Sequence, residues 1–254
     1  MPDATGSALV ERRGPTLVVT LDRPAVRNAM DRVTRVQLVA ICDEADADPT
    51  ISAMIITGTD PAFSGGVDLK EVLSGQAYRP PRTNPGQALR AMTTPVICAV
   101  NGACVSGALE VALSCSFIIA SERARFADTH ARVGLLPSWG LSAMLPHAIG
   151  VRRARQMTLT GDFIGPDVAL AWGLVNEVVP HDRLLGRAME IAESIDGVAE
   201  VTRRAVLSLY ARGEGAPLST GLGLEAEAHA RWSVDDAAAR DRFAATVRRG
   251  SAAG

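Results

Sequence analysis

The stretch Cys98–Cys115 reads CAVNGACVSGALEVALSC and contains one charged residue, Glu110, among apolar and small ones. The pattern predicts a buried strand over 95–100, a tight turn at Asn101-Gly102 and an apolar helix that begins near Ser106. An isolated charge taken out of water costs several kcal/mol unless it is paired or changes its pKa. A carboxylate in such a helix therefore needs either a structural partner or a function.

Composition places the chain among globular proteins and excludes several classes of partner. Its 254 residues, 47% of them hydrophobic, can bury a large core in one domain, with or without a small appendage. A formal net charge of -2 gives no electrostatic reason to expect a nucleic acid or an anionic membrane as partner. The four cysteines have no CxxC or Cys/His spacing, so we expect free thiols and no metal site. Because the chain has neither a signal peptide nor 18 consecutive apolar residues, we expect a soluble cytoplasmic protein.

Strand and helix patterns alternate along most of the chain, which is typical of an α/β fold. Residues 8–13 and 16–21 predict a hairpin, Asp31 is a candidate helix cap, and the apolar run 51–57 predicts a strand buried on both faces. Further strands are predicted over 117–120, 125–130 and 176–179, with helices over 140–150, 151–160 and 166–173. From His181 onward only helices are predicted, over 182–195, 198–212 and 220–248. We therefore divide the chain into a core, 1–195, and a helical C-terminal region, 196–254.

Two glycine-bearing turns follow predicted buried strands, and both end where a helix begins. Gly65 and Gly66 lie in the first turn, and glycine permits the close approach that main-chain N–H groups need to face a ligand. Helix starts leave N–H groups unpaired and partly positive, which suits an oxyanion. If the N–H groups of Val67 and Gly107 converged, they would bind a carbonyl oxygen that gains negative charge during reaction. Glu110 lies one turn beyond Gly107, so it could act on atoms beside that carbonyl.

Three segments resemble the signature segments of the enoyl-CoA hydratase/isomerase, or crotonase, family. They are PAFSGGVDLKEV (61–72), AVNGACVSGALE (99–110) and GLVNEVVP (173–180), in family order and with family spacing. The resemblance implies an α/β, crotonase-like spiral of repeated ββα units with a helical C-terminal trimerisation region, and hence a homotrimer or a hexamer. It also implies action on acyl-CoA thioesters, whose enolate is held by two backbone N–H groups that match Val67 and Gly107. Coenzyme A then belongs to the substrate, and no separate cofactor is expected.

The catalytic pair departs from the family pattern at one position. Family hydratases use two glutamates for the water and its proton; the first matches Glu110, whereas the position of the second holds His130. Histidine exchanges protons near neutral pH and could replace an acid. In an extended segment Asp128 lies on the same face as His130, so it could orient the imidazole or act in its place. We therefore hypothesise a Glu110/His130 pair supported by Asp128.

The resemblance also implies where the CoA part of the substrate binds. Its phosphates need cations; Lys70 matches the basic residue that family members place after the oxyanion-hole segment. Arg23 and Arg27 match positions at the other side of the family's binding site for the pantetheine and phosphate parts of CoA. The predicted substrate-binding residues are thus Arg23, Arg27, Gly65, Gly66, Asp68, Leu69 and Lys70. Trp139, in the apolar segment 135–145, is a candidate for the acyl pocket.

These residues favour hydration of a 2-enoyl-CoA to the 3-hydroxyacyl-CoA. The first alternative is an enoyl-CoA double-bond isomerase, which needs only one carboxylate, and the next is an acyl-CoA thioester hydrolase. A catalytically silent acyl-CoA-binding or assembly protein is the alternative without an enzyme activity; in it, Glu110 and His130 would be structural and Lys70 solvated. Motifs of serine hydrolases, Rossmann folds and P-loops are absent from the sequence.

Overall fold

The computed structural model describes residues 7–74 and 84–233, together with 239 and 242. These residues form two compact units, which divide between Asp196 and Gly197. The strands are β1 (Ala8–Arg13), β2 (Thr16–Leu21), β3 (Ala53–Gly58), β4 (Ala62–Ser64), β5 (Val96–Val100), β6 (Ala103–Val105), β7 (Phe117–Ser121), β8 (Arg125–Ala127) and β9 (Glu177–Val179). The helices of the first unit are α1 (Arg32–Ala47), α2 (Leu69–Leu73), α3 (Pro85–Ala91), α4 (Gly107–Leu113), α5 (Leu141–Ile149), α6 (Val151–Thr160), α7 (Pro166–Trp172) and α8 (Leu184–Asp196).

A six-stranded sheet in the order β1-β2-β3-β5-β7-β9 is the centre of the first unit. The predicted β1–β2 hairpin is confirmed and is antiparallel, while every other neighbouring pair in this sheet is parallel. All five residues of β5 are buried, because helices cover both faces of the sheet. One face packs on α8 through Leu184, Ala188 and Ala192, and the other faces the larger apolar core.

Three consecutive strand pairs repeat one arrangement. In each pair (β3–β4, β5–β6 and β7–β8) the first strand joins the large sheet, and the second joins a parallel three-stranded sheet in the order β4-β6-β8. Helices α2 and α4 follow the first two pairs, and a short 3-10 helix at 131–133 with α5 follows the third. This repetition is the ββα pattern that the family resemblance implied.

The small sheet corrects the sequence interpretation, which assigned β4 and β6 to glycine turns. The two chain segments pack very closely where they leave the large sheet: a Cβ on Gly102 would lie 2.3 Å from the carbonyl oxygen of Pro61. Asn101 fixes the same corner, because its side chain accepts from Gly58 N at 3.2 Å and donates to Ala62 O at 3.3 Å. The predicted turn at Asn101-Gly102 is therefore present, but a strand follows it directly.

The second unit contains α9 (Glu200–Gly213) and α10 (Leu218–Ala230) in its described part. The predicted helix over 220–248 corresponds to α10, which ends at Ala230. Residues 231–233 are not helical, and of the remaining positions in that prediction the structure describes only 239 and 242. Across the described residues, none of the helices combines the length and the apolar character that crossing a bilayer requires.

Candidate active site

Val67 lies in a backbone geometry that leaves its N–H free to face a ligand. A parallel bridge joins Val67 to Met30, and its two hydrogen bonds use Gly66 O and Asp68 N. In such a bridge the N–H of the central residue points to the opposite side. Gly66 has φ +92°, and a Cβ there would lie 2.6 Å from Val105 O, so only glycine fits.

Gly107 is the first residue of α4, so its N–H has no partner inside the helix. A Cβ on Gly107 would lie 3.4 Å from Val67 N and 3.0 Å from Val67 Cγ2. The two predicted oxyanion donors are therefore neighbours in space, although 40 positions separate them in the chain.

Ser106 orients the peptide that carries the Gly107 N–H. It has φ +48°, an uncommon conformation for a residue with a side chain. Its hydroxyl pairs with Thr129 Oγ1 at 2.9 Å and accepts from Thr129 N at 2.9 Å, while Ser106 N donates to Ala127 O at 2.9 Å. These bonds tie the start of α4 to the segment that carries Asp128 and His130.

Glu110 is buried, with 1% of its surface exposed, and its two oxygens have different surroundings. Oε1 accepts from Trp139 N at 2.6 Å and from Leu141 N at 3.2 Å. Oε2 faces His130 Nε2 at 3.8 Å. Burial raises the pKa of Glu110, and the N–H groups of Leu141 and Trp139 offset only part of that rise.

His130 is held by a buried carboxylate, as the sequence hypothesis required, but not through the predicted extended segment over 125–130, since β8 ends at Ala127 and His130 has helical backbone angles. Its Nδ1 lies 2.7 Å from Asp128 Oδ1, and its backbone N donates to the same oxygen at 3.2 Å. Thr158, on α6, donates its hydroxyl proton to Asp128 Oδ2 at 2.7 Å. Burial opposes the charge of Asp128, but the bonds from His130 and Thr158 outweigh it and lower the pKa of this carboxyl group.

The two predicted oxyanion donors and the Glu110/His130 pair open onto one cavity of about 360 Å³. The distance of 3.8 Å between Glu110 Oε2 and His130 Nε2 is too long for a direct hydrogen bond. The cavity is lined by Gly65, Val67, Leu69, Ser106, Gly107, Glu110, Thr129, His130, Val133, Leu135, Leu136 and Ser138. Such an arrangement can polarise a carbonyl oxygen at one point while two proton-transfer groups act on neighbouring atoms.

The predicted substrate-binding residues fall into two groups, those at the cavity and those engaged in contacts within the protein. Gly65 and Leu69 line the cavity, and the exposed Lys70 follows Leu69 in α2. Arg23 is engaged within the protein, since its guanidinium lies 3.2 Å from Asp31 and 3.2 Å from Asp68.

Arg27 lies beside the cavity rather than inside the fold. Its side chain is exposed, and its carbonyl accepts from Gly65 N at 2.8 Å, next to the cavity wall. Of the predicted CoA-binding cations, Arg27 and Lys70 are thus the two that remain exposed.

The structure places Trp139 in the core and not among the cavity-lining residues. The predicted segment does reach the cavity, but through its neighbours Leu135, Leu136 and Ser138. Trp139 instead packs against α4: a Cβ on Gly107 would lie 3.2 Å from its ring. The backbone N–H of Trp139 donates to Glu110. Its role at the site is therefore to hold the carboxylate.

Sequence reasoning missed Ser106, Thr129 and Thr158. Ser106 carries a local signal, since it immediately precedes the predicted donor Gly107. Thr158 carries none, because a threonine in an amphipathic helix gives no indication of a distant carboxylate. Its position beside Asp128 depends on how α6 packs on the 126–130 segment.

Comparisons with known proteins point to one family. The family model described as enoyl-CoA hydratase/isomerase matches residues 11–244. A probable peroxisomal enoyl-CoA hydratase of Arabidopsis thaliana is 37% identical over 224 residues, covering 87% of this chain and 84% of the relative. The crystal structure of an enoyl-CoA hydratase from Mycobacterium tuberculosis H37Rv matches with a TM-score of 0.77 and 48% identity, covering 88% of this chain and 96% of the other. An enoyl-CoA hydratase structure from Mycobacterium avium matches with a TM-score of 0.76 and 44% identity, covering 95% and 99% of the two chains.

Proposed function

Because the chain belongs to the enoyl-CoA hydratase/isomerase family and has its crotonase fold, we propose that it hydrates a 2-enoyl-CoA to the 3-hydroxyacyl-CoA with Glu110 and His130 as its proton-transfer groups. The observation that carries the assignment is the facing pair Glu110 Oε2 and His130 Nε2, 3.8 Å apart at the cavity that Val67 and Gly107 also line. Hydration needs a base for water and an acid for the α-carbon, and this pair supplies two such groups.

The two backbone donors account for activation of the substrate. The N–H groups of Val67 and Gly107 hold the thioester oxygen, so that electrons from the double bond move toward it as water attacks Cβ. The enolate that forms is then protonated at Cα. Donors of this kind typically contribute about 10²- to 10³-fold to the rate each.

One observation favours double-bond isomerisation as the second candidate. Among the described residues that line the cavity, Glu110 is the one carboxylate, because Asp128 is held behind His130. An isomerase needs one group that removes a proton from one carbon and returns it to another, and Glu110 alone supplies that chemistry.

The CoA end of the substrate is assigned to Arg27 and Lys70. Both are exposed basic residues that flank the cavity-lining residues Gly65 and Leu69. For the assembly we propose a homotrimer or hexamer, as the family resemblance implies. For the location we propose the cytoplasm, because the four cysteines are free thiols.

Product analysis separates the candidate activities. The protein is incubated with crotonyl-CoA and with a 3-enoyl-CoA, and the products are analysed by mass. A gain of one water supports hydration, an unchanged mass with a shifted bond supports isomerisation, and free CoA indicates hydrolysis. Glu110→Gln should abolish turnover with folding intact, whereas the exposed Glu122→Gln should leave it unchanged. Full activity in Glu110→Gln would contradict the assignment.

A further inference from the structure

Arg90, on α3, is not one of the described residues that line the cavity, but its guanidinium contacts the chain segment that holds Glu110. We propose that Arg90 is a positioning residue for the hydratase reaction. By fixing the Trp139 carbonyl, it aligns the main-chain N–H groups that donate to Glu110 Oε1. The inference rests on the proposed hydratase function and adds a residue that supports the site from behind.

The first observation is the set of contacts made by the Arg90 guanidinium. Nη1 donates to Trp139 O at 2.6 Å and to Ser114 Oγ at 2.9 Å. Met144 Sδ, on α5, lies 3.9 Å from the same nitrogen. This half-buried side chain therefore joins α3 to the residue that follows α4 and to the segment that leads into α5.

The second observation is the order of the peptide groups in the turn at 139–141. Trp139 N and Leu141 N both donate to Glu110 Oε1, at 2.6 and 3.2 Å. The carbonyl that Arg90 binds belongs to the peptide between these two donors. Neighbouring main-chain N–H groups in a turn form a concave site for an anion, whose shape depends on how each peptide is oriented. Holding the middle carbonyl therefore sets the directions of the N–H groups on either side of it.

Glycines allow Arg90 to approach the Trp139 carbonyl this closely. Gly140 has φ +120°, a conformation that residues with a side chain rarely adopt, and a Cβ there would lie 3.1 Å from Arg90 Nη1. Gly86 precedes Arg90 by one turn of α3 on the same face. A Cβ on Gly86 would lie 3.0 Å from Trp139 O. The backbone of α3 and the guanidinium thus enclose this carbonyl together.

Ser114 connects Arg90 to Glu110 by a second route. Its hydroxyl accepts from Arg90 Nη1 and donates to the backbone carbonyl of Glu110 at 2.7 Å. One guanidinium therefore contacts both the group that holds the Glu110 backbone and the turn that holds its carboxylate. Arginine stays charged at every pH at which an enzyme works, and hydrogen bonds from a charged donor are stronger than neutral ones. The link therefore persists across the pH range of an assay.

Loss of the guanidinium would free the Trp139 carbonyl to turn, and the neighbouring N–H groups would turn with it. Glu110 would then lose hydrogen bonds while staying buried, so its charged form would become less stable. The carboxylate would also shift relative to the oxyanion donors, and a displacement of about 1 Å can cost about 10²-fold in rate. Substrate binding would be unaffected, because Arg90 does not line the cavity.

The test compares Arg90→Met, Arg90→Lys and a matched control, Arg187→Met. Methionine keeps an unbranched side chain that can pack but has no donor. Arg187 is also a half-buried, hydrogen-bonded arginine, but it lies on α8 and binds Glu177 at 3.0 Å. For each variant we would measure kcat and KM for crotonyl-CoA, and the melting temperature. The pKa of Glu110 would be measured by NMR with isotope-labelled glutamate, its signal identified by its absence in Glu110→Gln.

We expect Arg90→Met to lower kcat for hydration by about ten- to a hundredfold, with KM within about twofold of wild type. The measured pKa of Glu110 should be higher in this variant, because the N–H groups of Trp139 and Leu141 lower it in the wild type. Arg90→Lys keeps a charged donor, so it should recover most of kcat and return the pKa toward the wild-type value. Arg187→Met should change neither quantity.

Three results would overturn the inference. A raised KM with wild-type kcat in Arg90→Met would make Arg90 a substrate-binding residue. Wild-type kcat in the folded variant, or a lowered kcat with an unchanged pKa of Glu110, would show that Arg90 does not act through the turn at 139–141. If Arg90→Met melts below the assay temperature, Arg90→Gln, with its shorter neutral side chain, takes its place.

Failure of the proposed function has a different signature. A wild-type protein that hydrates no enoyl-CoA would contradict that function. The titration of Glu110 in wild type, Arg90→Met and Arg90→Lys needs no turnover, so it would still show whether Arg90 aligns the two N–H donors.

Discussion

Glu110 and Asp128 are both buried carboxyl groups, but their surroundings move their pKa values in opposite directions. Burial raises the pKa of Glu110, and its two N–H donors do not cancel the rise. For Asp128 the hydrogen bonds from His130 and Thr158 outweigh burial and lower the pKa. The two groups therefore make opposite contributions to stability as the pH changes.

Replacing Glu110 by Gln should stabilise the protein increasingly as the pH rises. The folded state holds the Glu110 proton more tightly than the unfolded chain, in which this group has its ordinary pKa of 4.5. The stability that the protonated Glu110 contributes is therefore present below pH 4.5 and is lost as the pH rises through the folded pKa. Glutamine is neutral and keeps an acceptor for Trp139 N and Leu141 N. In urea unfolding, the free energy of unfolding of Glu110→Gln minus that of wild type should increase from pH 5 to pH 8. A flat difference, as expected for Glu122→Gln, would contradict the burial argument.

Replacing Asp128 by Asn should have the opposite pH dependence. The lowered pKa contributes stability above the ordinary value of 3.8, and that stability is lost as the pH falls through the folded pKa. At pH 7 we expect Asp128→Asn to lose about 2 kcal/mol, since hydrogen bonds to a charged group are disrupted. The loss should shrink below pH 4. The exposed Asp162→Asn is the control, with an expected change within about 0.5 kcal/mol at every pH.

At the scale of elements, the distance between α4 and the 65–67 turn decides whether the two N–H donors act together. A methyl group on Gly107 would press on Val67 and on the ring of Trp139, at 3.0 and 3.2 Å. We expect Gly107→Ala to lower kcat for hydration by about 10²-fold, because one donor is displaced. Gly186→Ala, in α8 with no atom within 4 Å of the added methyl, should leave kcat unchanged and stabilise the protein by up to about 1 kcal/mol. Equal kcat values for the two variants would show that the spacing does not matter.

The same elements show what the sequence could predict. The hairpin, α4 and α5 to α7 were predicted within a few residues, because their hydrophobic periodicity and their glycine or proline boundaries are local signals. Strands β4 and β6 were missed because they are short and lie beside glycines that indicate turns, and they exist through pairing with distant chain segments. The site follows the same rule. Glu110 stands out in the local sequence, whereas Thr158 contacts Asp128, and the N–H of Leu141 contacts Glu110, only because of tertiary packing.

At the scale of the whole molecule, the second unit leaves large apolar side chains exposed. None of the residues of α10 is buried, and the exposed fractions of Leu218 and Leu222 are 79% and 59%. Tyr210 on α9 is 73% exposed. Exposed apolar side chains grouped on one pair of helices are typical of a surface that another chain covers, which supports the proposed trimer.

Light scattering at micromolar concentration should give the mass of three or six chains. The double variant Leu218→Glu/Leu222→Glu should shift this mass toward one chain. In the wild type, each leucine buried in an interface contributes about 1.5–3 kcal/mol to association, whereas in the variant a charged carboxylate would have to be desolvated there. Val33→Glu is the matched control, since that residue is 60% exposed at the start of α1 and should leave the mass unchanged. A wild-type monomer would contradict the proposed trimer. A double variant that keeps the full mass would place the subunit interface on other residues and leave these leucines exposed in the assembly.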